Sequence, residues 1–157
     1  ISRCRTEVPV LPILLDNSNS ANNLPRSIFG TFVLIAGETH FTQPMYSWQQ
    51  SFVTEKSFAS IANKQILFVV GQTYSLSQIK SMGYKTFDSI IDESYDDIVE
   101  PGKRLYAVTN EIVRFLSRSY EEIEADYDSV QHILEHNYQL LFAQTLSNRL
   151  QELVNAL

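Results

Sequence analysis

The apolar positions fall into runs of two kinds, and each kind predicts a different element. Thr31 to Gly37 (TFVLIAG) and Ile66 to Val70 (ILFVV), the second closed by Gly71, are continuous β-branched, aromatic and aliphatic stretches without alternation. Runs of that sort suit strands covered on both faces, as in a parallel sheet. Val8 to Leu15 is also apolar but carries Pro9 and Pro12. Proline has no N–H for a ladder, so this stretch reads as an edge strand or an extended segment. Asp16 to Arg26, rich in Asn and Ser, reads as a loop, as does Glu38 to Gln50 with its Pro44.

The second kind of run has helical spacing. Thr54 can cap a helix that runs through Phe58, Ile61 and Ala62. Ser75 to Met82 forms a short amphipathic helix with Leu76 and Ile79 inward, ended by Gly83 at the C-cap. A short strand is expected around Thr86 to Ile91. After Pro101 the pattern is wholly helical, with Leu105, Val108, Ile112, Phe115 and Leu116 on one face. Ser119 and Glu122 carry a capping-box signature. From there Tyr120, Ile123, Tyr127, Val130, Leu134, Tyr138 and Leu141 continue an apolar stripe toward Leu157. The order strand, helix, strand, helix, strand, then helices indicates an α/β layered domain with a small, mostly parallel sheet and a helical C-terminal extension.

Composition places limits on this picture. With 157 residues, 44% hydrophobic and 19% charged, the chain is an ordinary globular domain, and residues 1–157 are read as one unit. The single cysteine, Cys4, excludes an internal disulfide framework. No apolar run approaches the roughly 20 residues that span a bilayer, so no transmembrane segment is expected. A net charge of −6 argues against a nucleic-acid partner. The first residue is Ile1 rather than Met, which raises the expectation of a piece cut from something longer.

Candidate chemistry concentrates at Thr54-Glu55-Lys56. A helix N-terminus presents unpaired N–H groups and partial positive charge. Glu55 suits that position on structural grounds alone. Lys56 opposes the dipole, and two readings stand: a solvent-facing lysine, or a lysine that shares a phosphate with the free N–H groups. Ligands of open α/β sheets collect beyond the carboxyl ends of strands. Glu38 lies at such an end, either as a loop acid or as an acceptor for sugar or ribose hydroxyls. Neither a glycine-rich dinucleotide fingerprint nor a phosphate-loop motif occurs. His132 and His136 have the spacing of two metal ligands but fall off the apolar stripe and read as a solvated face. Asp126-Tyr127-Asp128 reads as surface charge around an inward Tyr127, and the acids from Asp92 to Glu100 as a loop and helix-start residues before Pro101. No metal site is expected.

Residues 29 to 115 also carry a family resemblance. Phe32-Val-Leu-Ile-Ala-Gly-Glu38-Thr39, a variable loop, and Phe52-Val-Thr-Glu-Lys56 resemble the donor-site signature of fucosyltransferase-like glycosyltransferases. In that family an apolar strand ends in Glu-Asn-Ser, and an aromatic-Val/Ile-Thr-Glu-Lys segment follows. Gln65-Ile-Leu-Phe-Val-Val-Gly71 fills the place of the family's next strand. Leu76 to Asp88 (LSQIKSMGYKTFD), Ile91-Asp-Glu-Ser-Tyr-Asp96, Arg104 and the pair His136-Asn137 are similar to a pattern in glycosyltransferase-like proteins of bacteria and their phages.

The resemblance implies a Rossmann-like sheet and the C-terminal, donor-binding half of a two-domain enzyme. It implies that Glu55 holds the donor ribose, that Lys56 holds the diphosphate, and that Glu38 and Thr39 lie near the donor sugar. The donor is a nucleotide-diphosphate sugar taken as substrate, with no cofactor and no metal. The family's Asn after the strand-end Glu is Thr39 here. The residues before Phe32 are too few for the family's acceptor-binding half, which a missing domain or partner chain would have to supply. A cytoplasmic place in a bacterial or phage-infected cell is implied, or a role in the virion as a non-catalytic module derived from such an enzyme. In that module the stripe from Tyr120 to Leu157 would pack on a partner.

Overall fold

A computed structural model describes residues 30–42 and 51–155. Cys4, the expected extended segment Val8 to Leu15, the loop Asp16 to Arg26 and residues 43–50 of the Glu38 to Gln50 loop lie outside the described residues. Two strands, β1 (Val33–Gly37) and β2 (Ile66–Val70), pair in parallel with Val33 opposite Ile66 and Gly37 opposite Val70. Helix α1 (Glu55–Ala62) connects them. After β2 come α2 (Ser75–Ser81), a 3-10 helix (Glu93–Asp97), α3 (Pro101–Leu116), α4 (Tyr120–Ser129) and α5 (Gln131–Asn155). The fold is α/β, as the alternation of runs predicts, and among the described residues the sheet has two strands.

Strand β2 is the centre of the core. Ile66 to Val69 are buried on both faces of the strand, which is why the sequence there does not alternate. On one side Phe68 meets Phe115 of α3 edge-on, with ring centroids 5.5 Å apart. On the other, Leu67 sits with Ile61 of α1 and with Leu76 and Ile79 of α2, around a void of about 10 Å³. That volume is room for one water at most. Helix α1 turns Ser57, Ser60 and Ile61 toward the sheet. The two serines are fully buried, and their small side chains let the helix backbone lie close to the strands.

Three expectations need correction. Residues 86–91 form no strand. Ile90 N and Ile91 N both donate to Phe87 O, a helical-type turn that buries Phe87 and Ile91 one turn apart. Its polar groups are met by Glu93, which accepts from Thr86 Oγ1 at 2.7 Å and Phe87 N at 2.7 Å. On α3, Val108 and Phe115 are buried and Ile112 packs against the core as expected, but Leu105 and Leu116 point outward, Leu105 46% exposed, and Arg104 and Glu111 complete the inward face. Two charged residues take the inward positions because each has internal partners, a condition that hydropathy spacing does not see. Finally, the C-terminal stripe is divided at Val130 between α4 and α5. Tyr127, Val130 and Leu134 are buried in the chain's own core, so that stretch is not a free docking face.

The local signals elsewhere are borne out. Thr54 caps α1, Ser119 and Glu122 form the reciprocal capping box of α4, and Gly83 takes a left-handed φ of 91° after α2. No helix among the described residues is long and apolar enough to cross a membrane.

The contrast along α3 is testable by chemical denaturation. Phe115→Ala should cost about 3–5 kcal/mol by opening a cavity against Phe68. Leu105→Ala should stay within about 0.5 kcal/mol, as for other solvent-facing positions. Equal losses would mean that the stripe with Leu105 inward is the true core face.

Candidate functional site

Because β1 and β2 run parallel and α1 links them, the start of α1 lies at the carboxyl ends of the strands. Glu38 extends the ladder by one bond, donating its N–H to Val70 O at 2.9 Å. Its side chain turns inward and is 8% exposed. Oε1 accepts from Thr54 N at 3.2 Å and from Ser57 Oγ at 2.6 Å. Oε2 accepts from Thr54 N at 3.2 Å and from Thr54 Oγ1 at 2.5 Å. The carboxylate therefore sits beneath the first turn of α1, where the helix's partial positive charge favours an anion. Bonds from N–H and O–H to a charged acceptor are about twice as strong as neutral ones, and here they fasten the end of β1 to the start of α1.

Gly71 makes this junction close. A β-carbon at that position would come within 2.9 Å of Ser75 Oγ and 3.3 Å of the Glu38 Cβ and Cγ atoms. Ser51 Oγ lies 3.1 Å from Ser75 Oγ, and Phe52 N donates to Gln72 Oε1 at 3.1 Å. The segment leading into α1 is thus held against the turn that leaves β2.

The four residues singled out in sequence are brought to one place, in two layers. Glu38 lies underneath. Thr39 and Glu55 are exposed and Lys56 is half-buried, and Lys56 Nζ reaches Thr39 Oγ1 at 3.5 Å. Thr54 Oγ1 accepts from Lys56 N at 3.4 Å while it donates to Glu38. Beside them the half-exposed Phe52 meets His40 edge-on at 5.2 Å. The outer layer offers one cation, one carboxylate and one hydroxyl at a helix start.

Sequence reasoning missed Ser57, Gln72 and Gly71. For Ser57 there was a signal, a hydroxyl three residues after the capping Thr54. For Gly71 it was the glycine immediately after a buried strand.

The downstream motif residues have architectural partners. Asp96 accepts from Leu76 N and Ser77 N, both at 3.0 Å, at the start of α2. Burial pushes its carboxyl above the ordinary range, and those two N–H bonds oppose the rise. Asn137 exchanges bonds of 2.8 Å with both the N–H and the C=O of Lys85. His136 Nε2 donates to Gly83 O at 3.0 Å, and His132 Nδ1 to Ser129 O at 3.2 Å. Asp92 caps the 3-10 helix and Glu100 caps α3, and the N–H bonds they accept hold both carboxyls below their usual range. Asp126 pairs with Arg118 around the buried Tyr127. Among the described residues no group of three or more His, Cys, Asp or Glu side chains converges as a metal cage would require.

Compared with known proteins, the chain matches no family model, no curated protein and no solved structure.

The layered junction makes Glu38 a test case. Glu38→Gln keeps the volume but replaces one acceptor oxygen by a donor facing other donors. It should lower unfolding free energy by about 1.5–3 kcal/mol, read from denaturant midpoints. Combined with Thr54→Val, the loss should be clearly less than the sum of the two single losses, because both act through one network. Simple additivity would remove Glu38 from its place as the fastening of β1 to α1.

Proposed function

We propose that this chain is the nucleotide-sugar donor-binding domain of a glycosyltransferase that moves a hexose or deoxyhexose to an acceptor. The observation that carries the reading is the placement of Lys56, with Thr39 against it, at the start of α1 and at the carboxyl ends of two parallel strands. Lys56 and the α1 N-terminus would receive the diphosphate, Glu55 the ribose hydroxyls, and Thr39 the region of the sugar. Glu38 would serve from below, keeping the first turn of α1 in position for those contacts.

The chemistry follows from charge. As the sugar departs, negative charge grows on the diphosphate, and a fixed cation beside oriented N–H groups stabilises it without further rearrangement. The acceptor and the base that deprotonates it would come from a second domain or a partner chain. A bacterial or phage-infected cytoplasm is the setting this reading implies.

A second reading, a non-catalytic module derived from such an enzyme, is favoured by the outer face of α3. Tyr106 and Val113, two turns apart, are 72% and 57% exposed, next to Leu105 and Leu116. Apolar residues grouped this way mark contact surfaces more often than scattered ones do. A virion or a larger assembly would be its setting, with the outer face of α3 as a contact surface beside the C-terminal stripe.

Calorimetric titration with nucleoside diphosphates decides between them. The donor reading expects binding by the unmodified chain and at least a tenfold loss in Lys56→Ala, about 1.4 kcal/mol. No binding by the unmodified chain would sink it, and equal binding by the variant would move the site away from Lys56. The module reading expects a stable oligomer that Tyr106→Glu disrupts, and a clean monomer by light scattering would count against it.

A further inference from the structure

Arg104 stands in the first turn of α3, where a cation opposes the helix dipole, and it is only 3% exposed. The helix start has its own cap in Glu100, which accepts from Gly102 N and Lys103 N at 2.8 Å each. Arg104 is therefore not explained by the helix that carries it. Desolvation pushes its pKa down, and the negative charges of Asp96 and Glu100 partly offset the fall. A cation kept inside at that cost needs a full set of acceptors.

Those acceptors are four main-chain carbonyls from three separate segments. Nε donates to Gly71 O at 3.0 Å, where the chain leaves β2. Nη1 donates to Ile98 O at 2.7 Å and Val99 O at 3.1 Å, ahead of α3. Nη2 donates to Phe41 O at 2.5 Å, in the stretch that follows β1. The guanidinium also lies 4.7 Å from the centroid of the Phe41 ring, so Phe41 is held through both its carbonyl and its side chain. Only a planar group with donors pointing in several fixed directions can do this, and an ammonium on a flexible stem cannot.

We infer that Arg104 is a positioning residue for the rim of the candidate site, fixing the Thr39 to Phe41 stretch in the place where Thr39 meets Lys56. Two of the three segments it ties together border the site. Gly71 packs on Glu38, and Phe41 is two residues beyond Thr39. Arg104 thereby connects α3 to the loop after β1. The inference rests on the donor reading only for the ligand, since the ordering of residues 39–42 is a property of the chain alone.

Amide hydrogen exchange on the full chain tests it, with Arg104→Lys and Phe41→Leu as variants. Arg104→Lys keeps the charge but loses the fork. Phe41→Leu removes the ring contact and leaves Arg104 and its other bonds intact. Both should speed exchange in residues 39–42, by roughly tenfold in Arg104→Lys and less in Phe41→Leu, while β2 and α5 keep their protection. Arg104→Lys should also weaken nucleoside diphosphate binding without lowering the protection of β2. Unchanged exchange in residues 39–42 in both variants would overturn the inference. Should Arg104→Lys lose protection throughout, Phe41→Leu alone decides by the same criterion. An unmodified chain that binds no nucleoside diphosphate would defeat the donor reading and leave the exchange result to stand by itself.

Discussion

Every peptide N–H and C=O carried into the interior needs a partner, and the two strands among the described residues supply few of them. Between the end of β2 and the start of α3 the chain runs past the core with only α2 and one 3-10 helix as regular structure. Tyr84, Phe87, Ile91 and Tyr95 in that stretch are buried, so its backbone is drawn inward with them. Side chains supply the missing acceptors and donors. Asp96 serves the start of α2, Glu93 the turn at Thr86 and Phe87, Asn137 the peptide of Lys85, and Glu111 the N–H of Asp92. Arg104 answers four carbonyls from the other direction. Where the group served is buried, as at the start of α2 under Asp96, removing the side chain leaves it unpaired, which costs more than the bond itself contributes.

This accounts for what was legible in the sequence and what was not. Strands β1 and β2 were legible because burial on both faces writes itself as an unbroken apolar run. Helix starts at Thr54 and Ser119 were legible because a cap is a local bond between neighbours. The turn at residues 86–91 reads as a strand in sequence, since Phe87 and Ile91 look like strand residues until Glu93 takes the N–H that a ladder would need. The face of α3 is legible only in part, for a related reason. Apolar spacing does not mark Arg104 and Glu111 as inward, because their partners, Gly71 O, Phe41 O and the N–H of Asp92, lie far along the chain. The break at Val130 has no proline or glycine to announce it.

The candidate site was legible to a similar depth. Lys56 and Glu55 were found through the oddity of a cation at a helix start, which is local information. That Glu38 would turn beneath the helix was not available, because it depends on the parallel register that brings Val70 O to Glu38 N. Gly71 shows the same dependence. Its lack of a side chain matters only because Ser75 and Glu38 close on it from two sides, and nothing adjacent in sequence says so.

A division of labour follows among the residues that carry the glycosyltransferase resemblance. Asp92, Glu93, Asp96, Asn137 and Arg104 spend their polar atoms on the chain's own backbone. Such residues record how a fold solves its internal pairing. Thr39, Glu55 and Lys56 are different. Thr39 and Glu55 are exposed at the start of α1, and Lys56 reaches Thr39 there. The weight of the proposed function falls on these three side chains at the rim, and among the downstream residues named above Arg104 reaches toward it, through Phe41 O.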